Sequence, residues 1–307
     1  MGDVQSMNNY YELYAKFLNG FLKPKTKIKV VFDCSNGTAG LVLKPLLDKN
    51  KLADYELLNQ APDGRFPAHG PNPFSRKAKE ELVRKVKLVR ADLGVIFDAD
   101  GDRSLFVDER GHEIDPDETG KLIITYLKPK KIVVDVATGW LTRIPSGRAK
   151  YRVIDSPVGG YYLKKIMREK SADLGIEHSG HYYFKNFYFS DSGILSSIFV
   201  MNAVSQLKFQ GMSLSAWRKK LTRYYSIPER SVKVKNPRLT LNRFANYLKS
   251  KKGKVSMTDG VIFRNPDFWI NVRRSRTEPL LRLNMEARSE KTLRRELKGL
   301  MRILRSR

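Results

Sequence analysis

Cysteine is almost missing from this chain: Cys34 is the single one among 307 residues. One thiol excludes an internal disulfide framework and fits a reducing, cytoplasmic setting. Cys34 closes the run Val30-Val31-Phe32-Asp33, where a small buried residue is expected, a catalytic thiol being the other reading. Long apolar runs are missing too. None has the length that crosses a bilayer, and Met1 to Asn9 is polar, without the apolar core of a signal peptide. Acidic residues are scarce beside basic ones, 32 against 58, which leaves a net charge of +26. Such an excess attracts anions, whether nucleic acid, acidic lipid or phosphorylated metabolites. It is spread over Arg76–Arg90, Lys128–Lys131, Lys249–Lys254 and Arg294–Arg307. With no zinc finger, RNA-recognition motif or aromatic-interleaved basic stripe, this pattern reads more as a solvated surface, or as adaptation to a salty or nucleic-acid-rich cytoplasm, than as a nucleic-acid interface.

What is present is a strand and helix rhythm. Tyr11, Tyr14, Phe17, Leu18 and Phe21 share one face of an amphipathic helix over 8–21, which Gly20 and Pro24 end. A strand over Ile28–Asp33 runs into Ser35-Asn36-Gly37-Thr38-Ala39-Gly40, a small-residue turn that opens a helix through Leu46. That helix start could hold an anion, although the glycine spacing is not that of a dinucleotide site. A proline-rich loop over 61–74 and a basic helix over Ser75–Lys87 follow. The rhythm repeats with strands at Lys131–Asp135 and Tyr151–Ile154, a helix at Tyr161–Arg168 and a buried helix at Ile194–Val204. Near Ser226-Ile227-Pro228 it changes to short alternating strands, a helix over Leu239–Lys251, and a last helix capped by Ser289. The expected fold class is therefore α/β, with two α/β domains at 1–120 and 121–224 and an α+β domain at 225–307.

The densest chemistry lies in Asp98-Ala99-Asp100-Gly101-Asp102-Arg103, between the apolar runs Leu93–Phe97 and Leu105–Val107. Three carboxylates at alternate positions repel one another unless a cation sits among them. Ala99 and Gly101 are small enough for the backbone to curl until all three converge. Hard oxygen ligands of this kind suit Mg²⁺ or Ca²⁺. Three other readings stand beside this one. A solvated acidic turn needs no ligand. An EF-hand loop fits Asp98, Asp100, Asp102 and Glu109, but has Arg103 at its glycine position and strands in place of helices. A haloacid-dehalogenase-type phosphatase would begin with a similar DxD.

Three loops together resemble the α-D-phosphohexomutase family, the phosphoglucomutases and phosphomannomutases. DADGDR at 98–103 is similar to that family's metal loop, DGDGDR. GIEHSGH at 175–181 is similar to its sugar-recognition loop, GxExSGH. RRSRTEP at 273–279, followed by Arg282, resembles its phosphate loop. Weaker echoes are DCSNGTAG at 33–40, PDGRFPAHGPNP at 62–73 and the Val158-Gly159 turn. The resemblance covers the last three of the family's four domains. Its first domain carries a Thr-Ala-Ser-His-Asn-Pro loop with the phosphorylated serine, and no such loop occurs in these 307 residues.

The resemblance implies interconversion of hexose 1- and 6-phosphates. It implies Mg²⁺ on Asp98, Asp100 and Asp102, with Arg103 beside the transferring phosphate. Glu177 and Ser179 would hold sugar hydroxyls, and His181 would take part in proton transfer. Arg273, Ser275, Thr277 and Arg282 would cradle the distal phosphate. Where the family usually has a histidine this chain has Gly160, with Lys164 as a partial substitute. Arg274 and Arg276 add charge where the family prefers small residues. The expected partners are a hexose phosphate and a phosphoserine-bearing domain on another polypeptide, with no membrane and no nucleic acid. A non-catalytic sugar-phosphate binder and a basic nucleic-acid binder on this scaffold are the alternatives, and the isolated chain is expected to be inactive.

Overall fold

The apolar runs become the strands of three five-stranded sheets. The computed structural model describes residues 4–145, 150–275, 278 and 280–305. In the first sheet the strands run in the order Ala53–Leu58, Ile28–Asp33, Leu93–Phe97, Ser104–Asp108 and Glu113–Ile114. The first three are parallel, and each of the last two runs antiparallel to the strand before it. Leu93–Phe97 is buried along its whole length because helices cover both faces. On one face Ala78, Leu82 and Val86 of the helix Arg76–Val89 meet Val31, Ile96 and Val107. The first helix, Val4–Asn19, and the helix Ala39–Leu47 join the core on the other.

The second sheet has the order Ser190–Asp191, Tyr182–Phe184, Leu174–Ile176, Lys131–Asp135 and Arg152–Ser156. Its helix Gly193–Phe209 is buried from Gly193 to Ser205, as expected of a helix apolar on all sides. Ile194, Ile198 and Val204 belong to a core that also holds Val30 and Phe97 of the first sheet and Ile132 and Val134 of the second. One apolar core therefore joins the first two sheets. The third sheet is antiparallel throughout, in the order Tyr225–Lys233, Leu280–Ala287, Phe268–Arg274, Val261–Arg264 and Lys254–Ser256. With the helices Pro237–Lys249 and Glu290–Arg305 it builds a core of its own around Phe244, Phe263 and Leu300.

The edge strand Ala53–Leu58 carries Asp54 and Glu56 and is only partly buried, so no apolar run marks it. The helix Pro116–Leu127 announces itself through Asp115, Pro116 and Glu118, a complete capping box with proline in the first turn. No helix among the described residues is long and apolar enough to cross a membrane.

Cys34 lies buried just beyond the strand Ile28–Asp33. Burial, with the charge of Asp33 beside it, pushes its thiol up to about 12. Thiolate is the reactive form, so the native chain is expected to resist Ellman's reagent near pH 8 and to react fully in guanidinium. Rapid labelling of the folded chain would contradict the buried, unreactive assignment.

Candidate active site

The six residues of the acidic loop form the turn of a hairpin, because Leu93–Phe97 and Ser104–Asp108 pair antiparallel on either side. Helices of an EF-hand do not flank it. Asp98 is buried at the base, its Oδ1 accepting from the backbone N–H groups of Gly101 (3.1 Å) and Arg103 (3.2 Å). Gly101 takes φ +74°, which gives the turn its curl. The small-residue turn after the first strand holds this loop from the side. Ser35 Oγ donates to Phe97 O at 2.6 Å and the Thr38 N–H to Ala99 O at 2.9 Å.

From above, the Gly193 N–H donates to Gly101 O at 3.0 Å. A Cβ at position 193 would lie 2.6 Å from Arg103 O and 2.8 Å from Gly101 O, with backbone on both sides. Gly193→Ala is therefore expected to lower stability by about 1–3 kcal/mol through overpacking. Gly64→Ala, where the new methyl meets nothing within 4 Å, serves as control. Urea unfolding distinguishes the two, and equal midpoints would contradict the close packing of helix on loop.

Carboxylate oxygens of Asp98, Asp100 and Asp102 come within 4.8 Å of one another. Burial raises the pKa of Asp98, and the neighbouring Asp102 adds to the rise against the opposing pull of Arg103. Asp102 Oδ1 is buried and makes no well-aligned hydrogen bond, its nearest donor being His181 Nε2 at 3.3 Å. Three crowded carboxylates with an under-satisfied buried oxygen fit a hard divalent cation. Arg103 Nε donates to Asp98 Oδ2.

The sugar-type loop 175–181 meets the acidic loop directly, through a backbone bridge between Arg103 and His181. His181 Nε2 lies 3.3 Å from Asp102 Oδ1, and its Nδ1 lies 3.2 Å from Glu177 Oε2 and 2.8 Å from Ser179 Oγ. Burial alone would lower the His181 pKa, but the two carboxylates outweigh it and carry it to about 9. Glu177 is only 4% exposed. Its Oε1 accepts from the Gly159 N–H at 2.9 Å and its Oε2 from Tyr183 OH at 3.0 Å. Glu177 thus lies beneath the loop and ties together the Val158-Gly159 turn, Ser179 and His181. Lys164 reaches the cluster indirectly: its Nζ lies 3.6 Å from Asp191, which is grouped with Asp102 and His181.

In the third sheet Arg273 and Arg282 stand directly opposite each other on paired strands. Arg273 is 8% exposed, with its Nε buried and unpartnered. Ser275 Oγ accepts from the Glu278 N–H at 3.3 Å. Thr277 and Arg276 lie outside the described residues. A cavity of about 790 Å³ brings His178 and Ser179 together with Arg273 and Arg282. The acidic loop borders a different one, about 420 Å³, where Asp100 and Asp102 face Tyr10, Tyr14 and Asp191. A larger cavity of about 970 Å³ includes His178 but none of the expected site residues. The sugar-type loop is therefore the link, with His181 toward the acidic loop and Ser179 toward the paired arginines. Contacts across the second and third sheets fix that side: Trp140 N to Glu286 Oε2 at 2.7 Å, Val158 N to Asp259 Oδ2 at 3.1 Å, and Arg264 Nη1 to Asp155 Oδ2 at 2.8 Å.

Residues 8–111, 115–225 and 230–302 match, in that order, the phosphoglucomutase/phosphomannomutase α/β/α domain II, α/β/α domain III and C-terminal domain. The chain belongs to the phosphoglucomutase/phosphomannomutase family. A phosphomannomutase of Methanocaldococcus jannaschii is 34% identical in an alignment of 303 positions that covers 96% of this chain and 65% of that protein. A crystal structure of a phosphoglucomutase/phosphomannomutase family protein from Burkholderia thailandensis superposes with TM-score 0.82 at 26% identity, over 96% of this chain and 64% of that one. Aspergillus fumigatus N-acetylphosphoglucosamine mutase, solved in complex with GlcNAc-6P and magnesium, shares the fold at TM-score 0.66 and 18% identity, over 96% and 65% of the two chains. The chain thus spans less than two thirds of the length of these relatives.

Within the phosphohexomutase frame, four polar neighbours of the site were not legible beforehand. Asp191 and Tyr183 sit beside His181 and Glu177, and Glu229 and Asn284 beside the paired arginines. Only Glu229 had a local signal, since Pro228 before it marks an irregularity in a strand.

Proposed function

We propose that this chain supplies the metal, sugar and distal-phosphate parts of a phosphohexomutase site that interconverts hexose 1- and 6-phosphates. The observation that carries the reading is the convergence of three loops: the acidic loop bridges to the sugar-type loop through Arg103 and His181, and the sugar-type loop and the paired arginines line one cavity. Asp98, Asp100 and Asp102 are the residues that would hold Mg²⁺. When bound, that ion supplies charge stabilisation to a phosphoryl group in transfer. Arg103 steadies Asp98 and offers a cation at the same place. Ser179 faces the cavity as a donor and acceptor for sugar hydroxyls, while Glu177, the other residue expected to serve the sugar, positions the loop that carries Ser179. His181 and Lys164 are the candidate carriers of the proton exchanged at the reacting hydroxyl.

Arg273 and Arg282, with Ser275 and Thr277, are assigned to the phosphate that is not transferred. Guanidinium pairs suit this task because several donors meet several oxygens. The division into units near residues 120 and 225 is proposed on the same basis, one loop per unit. The phosphoryl group itself needs a carrier, which we assign to a phosphoserine-bearing domain. Exposed Tyr10, Leu13 and Phe17 on the first helix, beside the cavity of the acidic loop, offer it a docking face. A cytoplasmic setting accords with the single buried thiol. The test is a coupled mutase assay, with turnover expected only when such a phosphorylated domain is added.

A further inference from the structure

Arg273 and Arg282 form a directly opposed cross-strand pair, and like charges so placed destabilise a sheet. The strand Tyr225–Lys233 supplies the missing anion. Its register against Leu280–Ala287 slips between Ile227 and Arg230, so that Pro228 and Glu229 are bulged out of the ladder. Bulges of this kind re-aim a side chain. Here Glu229 Oε1 accepts from Arg282 Nη1 at 2.7 Å, and Oε2 accepts from Arg273 Nη2 and Asn284 Nδ2, each at 3.2 Å. One carboxylate thus takes donors from three side chains on two strands, in the cavity that Ser179 also lines.

We propose that Glu229 is a built-in stand-in for the ligand's phosphate, a latch that a phosphate dianion must displace from Arg273, Arg282 and Asn284. This rests on the assignment of the paired arginines to the distal phosphate. A monoester dianion brings more charge and more acceptor oxygens than a carboxylate, so it can replace the latch. A singly charged sugar acid exchanges one carboxylate for another and gains little. Glu229 thereby selects phosphorylated sugars over acidic ones and keeps the arginines apart in charge when no ligand is bound. Its position on an exposed bulge gives the displaced side chain access to water.

Occupation by the latch lowers the apparent affinity by the fraction of time the arginines are free. Titration calorimetry with inorganic phosphate and with mannose 6-phosphate is the test, on wild type, Glu229→Gln, Glu229→Ala and Arg273→Ala. Thermal melting confirms that each variant is folded, and two variants at position 229 guard against loss of one. Both position-229 variants are expected to bind phosphate and mannose 6-phosphate about three- to tenfold more tightly than wild type. Unchanged or weaker binding in both would overturn the latch and make Glu229 a support for the arginines. Binding by wild type that Arg273→Ala leaves intact would overturn the underlying phosphate assignment instead. No binding by any of the four proteins would remove both.

Discussion

Arg273→Ala is expected to weaken binding of glucose 6-phosphate and mannose 6-phosphate by at least an order of magnitude. Arg273 is almost fully buried, one side of its guanidinium lacks a partner, and it faces a cavity shared with the sugar-type loop. A charged hydrogen bond to phosphate contributes about 1.5–3 kcal/mol, and Arg273 can make more than one. Losing it should weaken binding by roughly thirtyfold to several hundredfold, at about 1.4 kcal/mol for each tenfold. Arg294→Ala is the control, since Arg294 is exposed on the last helix and paired only locally with Glu290. With a net charge of +26 some phosphate will associate diffusely. Equal weakening by both substitutions would show that this diffuse attraction is all there is.

The second large effect concerns turnover. Phosphoryl transfer depends on a donor held in line with the accepting hydroxyl and on charges that stabilise the group in flight. The 307 residues offer cations and carboxylates for the second task but no Thr-Ala-Ser-His-Asn-Pro loop for the first. This polypeptide by itself, with Mg²⁺ and glucose 1,6-bisphosphate, is therefore expected to give no mutase activity. Addition of a phosphorylated first domain from a relative should restore turnover, limited by docking. Asp98→Ala should reduce the restored rate by roughly three orders of magnitude, the scale on which charge-stabilising groups act in phosphoryl transfer. Robust turnover by the polypeptide alone, lost in Asp98→Ala, would mean that another residue carries the phosphoryl group.

Much of the fold was legible because local signals agreed with the tertiary outcome. Ile28–Asp33, Leu93–Phe97 and Lys131–Asp135 are strands at the bounds their apolar runs suggest, since each is covered by helices on both faces. The buried helix read at Ile194–Val204 extends to Gly193–Phe209, the polar Gln206 and Lys208 having hidden its last turn. Ala53–Leu58 was hidden because an edge strand needs no apolar run. The site divides in the same way. Its three loops could be found because each packs its chemistry into six or seven consecutive residues. Their meeting points could not, because Asp102 to His181 spans the first two sheets, and Glu229 reaches Arg273 through a bulge that Pro228 marks without telling which residues it brings together. Glu177 illustrates the limit: its residue type suggests an open ligand for sugar, whereas the fold places its carboxylate under the loop with Gly159 and Tyr183 already bound.

In the proposed function, the sugar-type loop and the paired arginines receive one hexose phosphate between them. A crystal structure of the chain soaked with mannose 6-phosphate and Mg²⁺ tests it most directly. The expected result has the phosphate between Arg273 and Arg282 in the place of Glu229, with the sugar hydroxyls against Ser179 and its loop. Phosphate bound away from both arginines, or a sugar ring that leaves the Ser179 loop untouched, would contradict it.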